Sequence, residues 1–190
     1  MPLYALGELV PAIHPTAYVH PDAVIIGDVT IGPEASVWPG AVLRGDMGRI
    51  EVGAKTSIQD NTVLHTTEEW PTIIGAECVV GHSAHLEGCV VGDRCLIGSG
   101  SVVLNRAHIG AGSVVGAQAL VPEDAVAPPA SMLLGVPARP RPLPLTDKEQ
   151  SAFIDYGVGE YLHNARRYRD QLRLIEPDEA SHPDPVRERP

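Results

Sequence analysis

The stretch VGDRCLIGSGSVVLNRAHIGAGSVVGAQALV, residues 91–121, carries an aliphatic residue at every sixth position. The same period runs back through most of the chain, with three irregular steps. Its members before residue 91 are Ile13, Val19, Ile25, Ile31, Val37, Leu43, Val52, Ile58, Leu64, Ile74, Val80 and Leu86. A fixed period of this kind indicates a solenoid, and hexapeptide repeats are typical of a parallel β-helix.

A second pattern lies two residues before each aliphatic position, where the side chain is almost always small. One large and one small inward residue per hexapeptide fill a narrow prism at the packing density of a protein interior. The three cysteines, Cys78, Cys89 and Cys95, all occupy the small position. We therefore predict that they are buried core residues, and neither disulfide partners nor thiolate ligands of a metal.

Two of the irregular steps are predicted to be loops that leave a coil of the solenoid. The first is a glycine-rich excursion at residues 45–48, and the second spans residues 66–72 and carries Trp70 and Pro71. Glycine and proline are the strongest local signals of a turn or loop. Each loop is expected to begin and end on the same side of the prism, so that the repeat keeps its register.

The chain divides into four segments. The period predicts the β-helix over residues 11–127, and the proline-rich residues 128–145 predict an extended connector that leaves the prism. The sequence Thr-Asp-Lys-Glu at 146–149 has the form of a capping box, so we predict a helix over residues 146–174, packed along the prism. Residues 175–190 are polar and proline-rich and are predicted to be disordered.

The charge of the chain limits its partners. Its 190 residues carry a formal net charge of −10, which argues against nucleic acid or an anionic membrane surface as a partner. The sequence contains no run of about 18 apolar residues, the length that predicts a membrane span. The N-terminus lacks the basic and apolar regions of an export signal, so we expect a cytoplasmic protein.

The period also predicts which polar side chains lie together. Leu43, Leu64 and Leu86 share one face of the prism, so the residues that follow them should form a column with a spacing of about 4.8 Å, the distance between strands. That column consists of Arg44, His65 and Glu87. On the preceding face, Asp60 and His82 occupy equivalent positions, with Gln59 beside them. Residues distant in sequence are thus predicted to form one polar patch along an edge.

Several short motifs resemble the γ-class carbonic anhydrases, which belong to the hexapeptide-repeat proteins. They are Arg44-Gly45-Asp46, Ile58-Gln59-Asp60, Val63-Leu64-His65, Gly81-His82, Gly88-Cys89, Leu134-Gly135-Val136-Pro137-Ala138 and Leu145-Thr146-Asp147. The resemblance covers roughly residues 10–174. It implies an all-β solenoid, a left-handed parallel β-helix with a C-terminal α-helix. It also implies a homotrimer with Zn²⁺, Fe²⁺ or Co²⁺ held between subunits by three histidines.

The resemblance implies metal-ligand roles for two histidines and leaves the third ligand open. His65 and His82 match two of the family's ligands, with His82 reaching across to the neighbouring subunit. At the position of the third histidine this chain has Glu87. Three alternatives follow: Glu87 is the ligand, because two histidines and one glutamate form an established zinc set; His85 completes the site; or no metal binds and Glu87 hydrogen-bonds His65 and Arg44.

The activity implied by the resemblance is that of a carbonic anhydrase-like lyase, in which a hydroxide on the metal attacks carbon dioxide to give bicarbonate. A glutamate ligand makes the metal a poorer Lewis acid than a third imidazole would, so we expect weak hydration. In the family pattern Gln59 orients the hydroxide, Asp60 lies nearby, and Arg44 and Asp46 form an ion pair between subunits.

Three other functions fit the same pattern. The metal site would equally hydrolyse a small thioester or ester, because a fold does not determine the substrate. A CoA-dependent acyltransferase with a histidine base between subunits is a more distant alternative. The non-enzyme alternative is a catalytically inactive trimeric scaffold, which the missing third histidine favours.

Overall fold

The computed structural model describes residues 2–176, which form a left-handed parallel β-helix followed by a single helix. The predicted fold is therefore confirmed. The strands of the first half are β1 (Leu3–Tyr4), β2 (Ala12–Ile13), β3 (Tyr18–Val19), β4 (Val24–Ile31), β5 (Ser36–Val37), β6 (Val42–Val52), β7 (Ser57–Ile58), β8 (Val63–His65), β9 (Thr72–Ile74) and β10 (Val79–Val80). Those of the second half are β11 (His85–Glu87), β12 (Val90–Val91), β13 (Leu96–Ile97), β14 (Val102–Val103), β15 (His108–Ile109), β16 (Val114–Val115), β17 (Leu120–Val121), β18 (Val126–Ala127), β19 (Ser131–Gly135) and β20 (Ala138–Pro142), before α1 (Asp147–Gln171).

The strands stack into three faces. Face A consists of β1, the first halves of β4 and β6, β8, β11, β14 and β17. Face B consists of β2, the second halves of β4 and β6, β9, β12, β15 and β18. Face C consists of β3, β5, β7, β10, β13, β16 and β19, all parallel, with β20 antiparallel at its edge. The periodic aliphatic residues fill the interior, and all those from Ile25 to Val121 are buried.

The excursion predicted at residues 45–48 is present as a bulge within a strand and not as a separate loop, because the register of β6 on β4 passes from the pair Gly27–Gly45 to the pair Val29–Ile50. These residues stay within β6, which continues from face A to face B and pairs with β8 at its start and with β9 at its end. The glycine at position 45 serves a close approach of strands, because a Cβ there would lie 2.5 Å from the carbonyl oxygen of Asp28. The second predicted loop does leave the prism, between the end of β8 and the start of β9.

The proline-rich residues 128–145 are not an extended connector, as predicted, but a hairpin of β19 and β20. β19 pairs with β16 in the register of the repeat and places Leu133 in the core, so the solenoid extends beyond residue 127. Prolines have no backbone N–H to donate, and Pro140 and Pro142 therefore suit the outermost strand. The hairpin covers a sheet edge that would otherwise be open to pairing with another chain.

Helix α1 packs on face C. It begins after Thr146, whose side chain and that of Glu149 form the predicted capping box, and it ends at Gln171, three residues before its predicted end. Two apolar clusters attach it to the sheet, one around Val79 and one around Tyr18 and Trp38. Within residues 2–176 no helix combines the length and the apolar composition needed to cross a bilayer. Except for its first two residues, the tail predicted to be disordered lies outside the described residues.

Polar contacts fix the position of α1 along the solenoid. The pairs, in helix order, are Gln150 with the Gly112 carbonyl, Asp155 with Arg94, Arg166 with Glu34, and Arg169 with the Thr16 carbonyl. Helix residues later in the sequence contact prism residues earlier in the sequence. The helix therefore runs back along the solenoid, from the later coils to the first.

The three cysteines are free and fully buried, as predicted. Burial raises the pKa of the Cys89 thiol to about 12, and the thiolate is the form that reacts with disulfide reagents. Because all three thiols are shielded from solvent, we expect no cysteine of the folded protein to react with Ellman's reagent at neutral pH, and all three to react after denaturation in guanidinium chloride. Release of the coloured product in the native state would contradict this burial.

Candidate functional site

The column predicted on face A is present in the expected register. Arg44 of β6 pairs with His65 of β8, which pairs in turn with Glu87 of β11. Successive side chains on a strand point to opposite faces, so these three point outward because the preceding leucines point into the core. The His65 side chain is 14% exposed, which makes it the least exposed histidine of this cluster.

A continuous chain of polar contacts links the three side chains of the column with those of Asp46 and His85. A guanidinium nitrogen of Arg44 donates to one Asp46 oxygen at 2.5 Å, and the other Asp46 oxygen lies 3.3 Å from Nε2 of His65. Nδ1 of His65 lies 3.2 Å from one Glu87 oxygen, and Nε2 of His85 lies 3.2 Å from the other. Imidazoles and carboxylates thus alternate, and each nitrogen of His65 faces a carboxylate.

Asp46 is held in its ionised form. Desolvation on its own would raise the pKa of its carboxyl, but the hydrogen bond and positive charge of Arg44 lower it below the ordinary value, with a smaller contribution from His65. Arg44 and Asp46 pair within one chain. Their predicted pairing between subunits stays a prediction.

A second polar group lies at the corner between faces C and A and consists of Gln59, Asp60 and His82. Oδ2 of Asp60 is 2.9 Å from Nδ1 of His82, and the His82 side chain is 53% exposed. Gln59 is buried and forms a side-chain hydrogen bond with Tyr161 of α1. The pKa of Tyr161 is raised, mainly by burial and next by the charge of Asp60, while the hydrogen bond with Gln59 acts in the opposite direction. The sequence did not single out Tyr161, because its position on the prism depends on how α1 docks.

The two groups do not meet within one chain. Among the described residues, no set of three histidine, cysteine, aspartate or glutamate side chains is arranged to hold a metal ion. In donor chemistry, however, an imidazole and a carboxylate on face A together with an exposed imidazole at the corner between faces C and A match the set that zinc takes in open catalytic sites. Within the described part of one chain, His65 and Glu87 therefore have no third side chain of these types arranged to complete a metal site with them.

The loop after β8 lies against this site. Arg106 stacks over Trp70, with its guanidinium carbon 4.4 Å from the centre of the indole ring, and is held by Glu123 and Asp124. Thr72, at the end of the loop, is fully buried, and its hydroxyl bonds to the backbone beside both His65 and Glu87. The sequence did not single out Thr72. The only signal was a polar residue two positions before the periodic Ile74, where the repeat places a small inward side chain.

The chain as a whole is similar to several known proteins. The family model described as bacterial transferase hexapeptide (six repeats) matches residues 11–45, 71–105 and 88–123. The carnitine operon protein CaiE of Escherichia coli O157:H7 is 43% identical over 139 residues, which are 73% of this chain and 71% of that protein.

Two solved structures are similar over nearly their whole length. A hexapeptide transferase family protein from Anaplasma phagocytophilum has 36% identity and a TM-score of 0.82, covering 88% of this chain and 98% of its own. A putative acetyltransferase of Bacillus cereus has 30% identity and a TM-score of 0.86, covering 90% of this chain and 98% of its own.

Proposed function

This chain belongs, with the CaiE proteins, to the hexapeptide-repeat transferase family, and from that premise we propose that it is a metal-dependent enzyme resembling the γ-class carbonic anhydrases. The proposed reaction is the hydration of carbon dioxide to bicarbonate at sites between the subunits of a homotrimer. The proposed ligands of Zn²⁺, or of Fe²⁺ or Co²⁺, are His65 and Glu87 of one chain and His82 of the next.

One observation supports this proposal most directly, the contact between His65 and Glu87. The imidazole and the carboxylate lie 3.2 Å apart on adjacent strands, largely shielded from solvent. Two histidines and one glutamate leave a zinc ion an open position for substrate or water. A cation bound there would lower the pKa of water toward neutrality, which is the chemistry that hydration requires.

The surrounding side chains have defined tasks in this proposal. Asp60 fixes the ring of His82 through Nδ1, so Nε2 is the nitrogen offered to a neighbouring subunit. Gln59, adjacent to that corner, would orient the attacking water. Glu87 is preferred to His85 as third ligand because it shares the column of His65, whereas His85 contacts the far oxygen of Glu87.

Metal content tests the proposal. We expect purified protein loaded with zinc and dialysed to retain about one ion per chain, measured by atomic emission, since each chain supplies one donor set. His65→Ala and His82→Ala are each expected to lose it, whereas His108→Ala, at an exposed position on face B, retains it. Zinc retained by His65→Ala would contradict the assignment. A folded protein that binds no zinc would instead support the inactive scaffold.

The contact between His65 and Glu87 also supports a second function, acyl transfer, in which His65 would act as a base and not as a metal ligand. A carboxylate that holds Nδ1 of a histidine orients the ring as a general base, and the Bacillus cereus relative is described as a putative acetyltransferase. Carbon dioxide hydration and acetyl-CoA turnover, assayed with and without a chelator, separate the candidates. Chelator-sensitive hydrolysis of acetyl-CoA without hydration would identify the thioesterase alternative, and chelator-resistant acetyl transfer the acyltransferase.

A further inference from the structure

The solenoid is irregular immediately after each of the two donor residues on face A. At a regular corner, the carbonyl of the residue that follows the aliphatic accepts from the N–H three residues later, as Leu104 does from Ala107 at 3.2 Å. The step from Leu64 to Ile74 is ten residues long and that from Leu86 to Val91 only five, so His65 and Glu87 both precede a corner of abnormal length.

The hydroxyl of Thr72 hydrogen-bonds to the backbone of both of these corners. It donates to the carbonyl oxygen of His65 at 2.5 Å and accepts from the N–H of Gly88 at 2.8 Å. Gly88 lies in the left-handed region at φ 56°, and a Cβ on it would collide with the side-chain oxygen of Asn105, so the shortened corner has little freedom to adjust. One buried side chain therefore ties together the backbone at the ends of β8 and β11.

We propose that Thr72 is a positioning residue of the site, which sets the separation of His65 and Glu87 through their backbones. The inference rests on the proposed function only for the consequence to metal binding. The effect on the positions of His65 and Glu87 is independent of that function, because the hydrogen bonds of Thr72 are to backbone atoms. The stacking of Arg106 on Trp70 also holds this loop.

The fold contains a matched control. Thr56, equally buried on another corner, makes the same two bonds, donating to the Gly75 carbonyl at 2.7 Å and accepting from the Cys78 N–H at 3.0 Å. Thr56→Val and Thr72→Val thus each remove one buried hydroxyl and its two hydrogen bonds to the backbone. They differ in that only Thr72 borders the donor residues.

Two measurements test the role of Thr72. In metal-free protein at fixed pH, long-range ¹H–¹⁵N spectra of the His65 ring are expected to shift in Thr72→Val and to return to the native positions in Thr72→Ser. In calorimetric titrations with zinc alone, Thr72→Val is expected to weaken binding on the order of tenfold, as changes around bound metals do. Thr56→Val is expected to change neither.

Unchanged His65 resonances in Thr72→Val, or equal shifts in Thr56→Val, would overturn the proposal. If Thr72→Val does not fold, Thr72→Cys serves, because the next coil holds Cys89 at the equivalent inward position and a thiol is a weaker hydrogen-bonding partner. Failure of wild-type protein to bind zinc would count against the metal-dependent function alone. The His65 spectra would still decide the role of Thr72.

Discussion

Glu87→His is expected to raise the rate of carbon dioxide hydration on the order of 10- to 100-fold, the range over which changes around a bound metal alter activity. The substitution replaces an anionic donor by a neutral imidazole, which leaves the cation more of its charge. It also frees His65 and His85 from the carboxylate that now lies 3.2 Å from each. The measurement is a stopped-flow indicator assay on zinc-loaded protein.

Two controls make the Glu87→His result specific. Glu51→His alters a glutamate on face B that pairs with Arg49 and forms no ion pair with a histidine of residues 2–176, and it should leave the rate unchanged. Glu87→Gln removes the charge but keeps the shape, and it should lose zinc because a neutral amide is a weak zinc ligand. A Glu87→His protein that binds stoichiometric zinc without any gain in hydration would refute the carboxylate as the cause of weak activity.

The six-residue period was sufficient to predict the column of Arg44, His65 and Glu87, because in a parallel solenoid the register follows directly from the spacing of inward residues. The period was insufficient to predict the conformation of the glycine-rich residues 45–48 and of the proline-rich residues 128–145. Glycine at position 45 permits a close approach of strands, and the prolines after residue 127 lie in a hairpin at the end of the prism. The same residue types serve a turn, a close approach or an edge strand.

Side-chain contacts that bridge irregular segments could not be predicted. Thr72 bonds across a loop whose conformation depends on Trp70 and Arg106, which are 36 residues apart in sequence. Tyr161 approaches Gln59 because contacts along the whole of α1 fix its register. Nor did the spacing reveal that Glu87 contacts two imidazoles, since the position of His85 on the same strand gives no direction for its ring.

In the proposed trimer, mixing two inactive variants is expected to restore activity. His65→Ala lacks a face A donor and His82→Ala lacks the corner donor, so each homotrimer has no complete site. When the two chains are mixed in equal amounts and reassembled, a site is complete where an intact His65 meets an intact His82 from the next chain. Random assembly with head-to-tail contacts around a three-fold axis gives this at about a quarter of the interfaces.

The restored quarter is measured as zinc retained and as hydration rate, relative to wild-type protein carried through the same unfolding and refolding. A mixture of His65→Ala with Glu87→Ala is the matched control, because both donors come from the same chain and mixing cannot reunite them at one interface. Restoration in that control, or none in the first mixture, would show that His65 and His82 do not act across subunits. Because each chain alone separates the column on face A from the His82 corner, complementation is the behaviour that this geometry requires of a shared site.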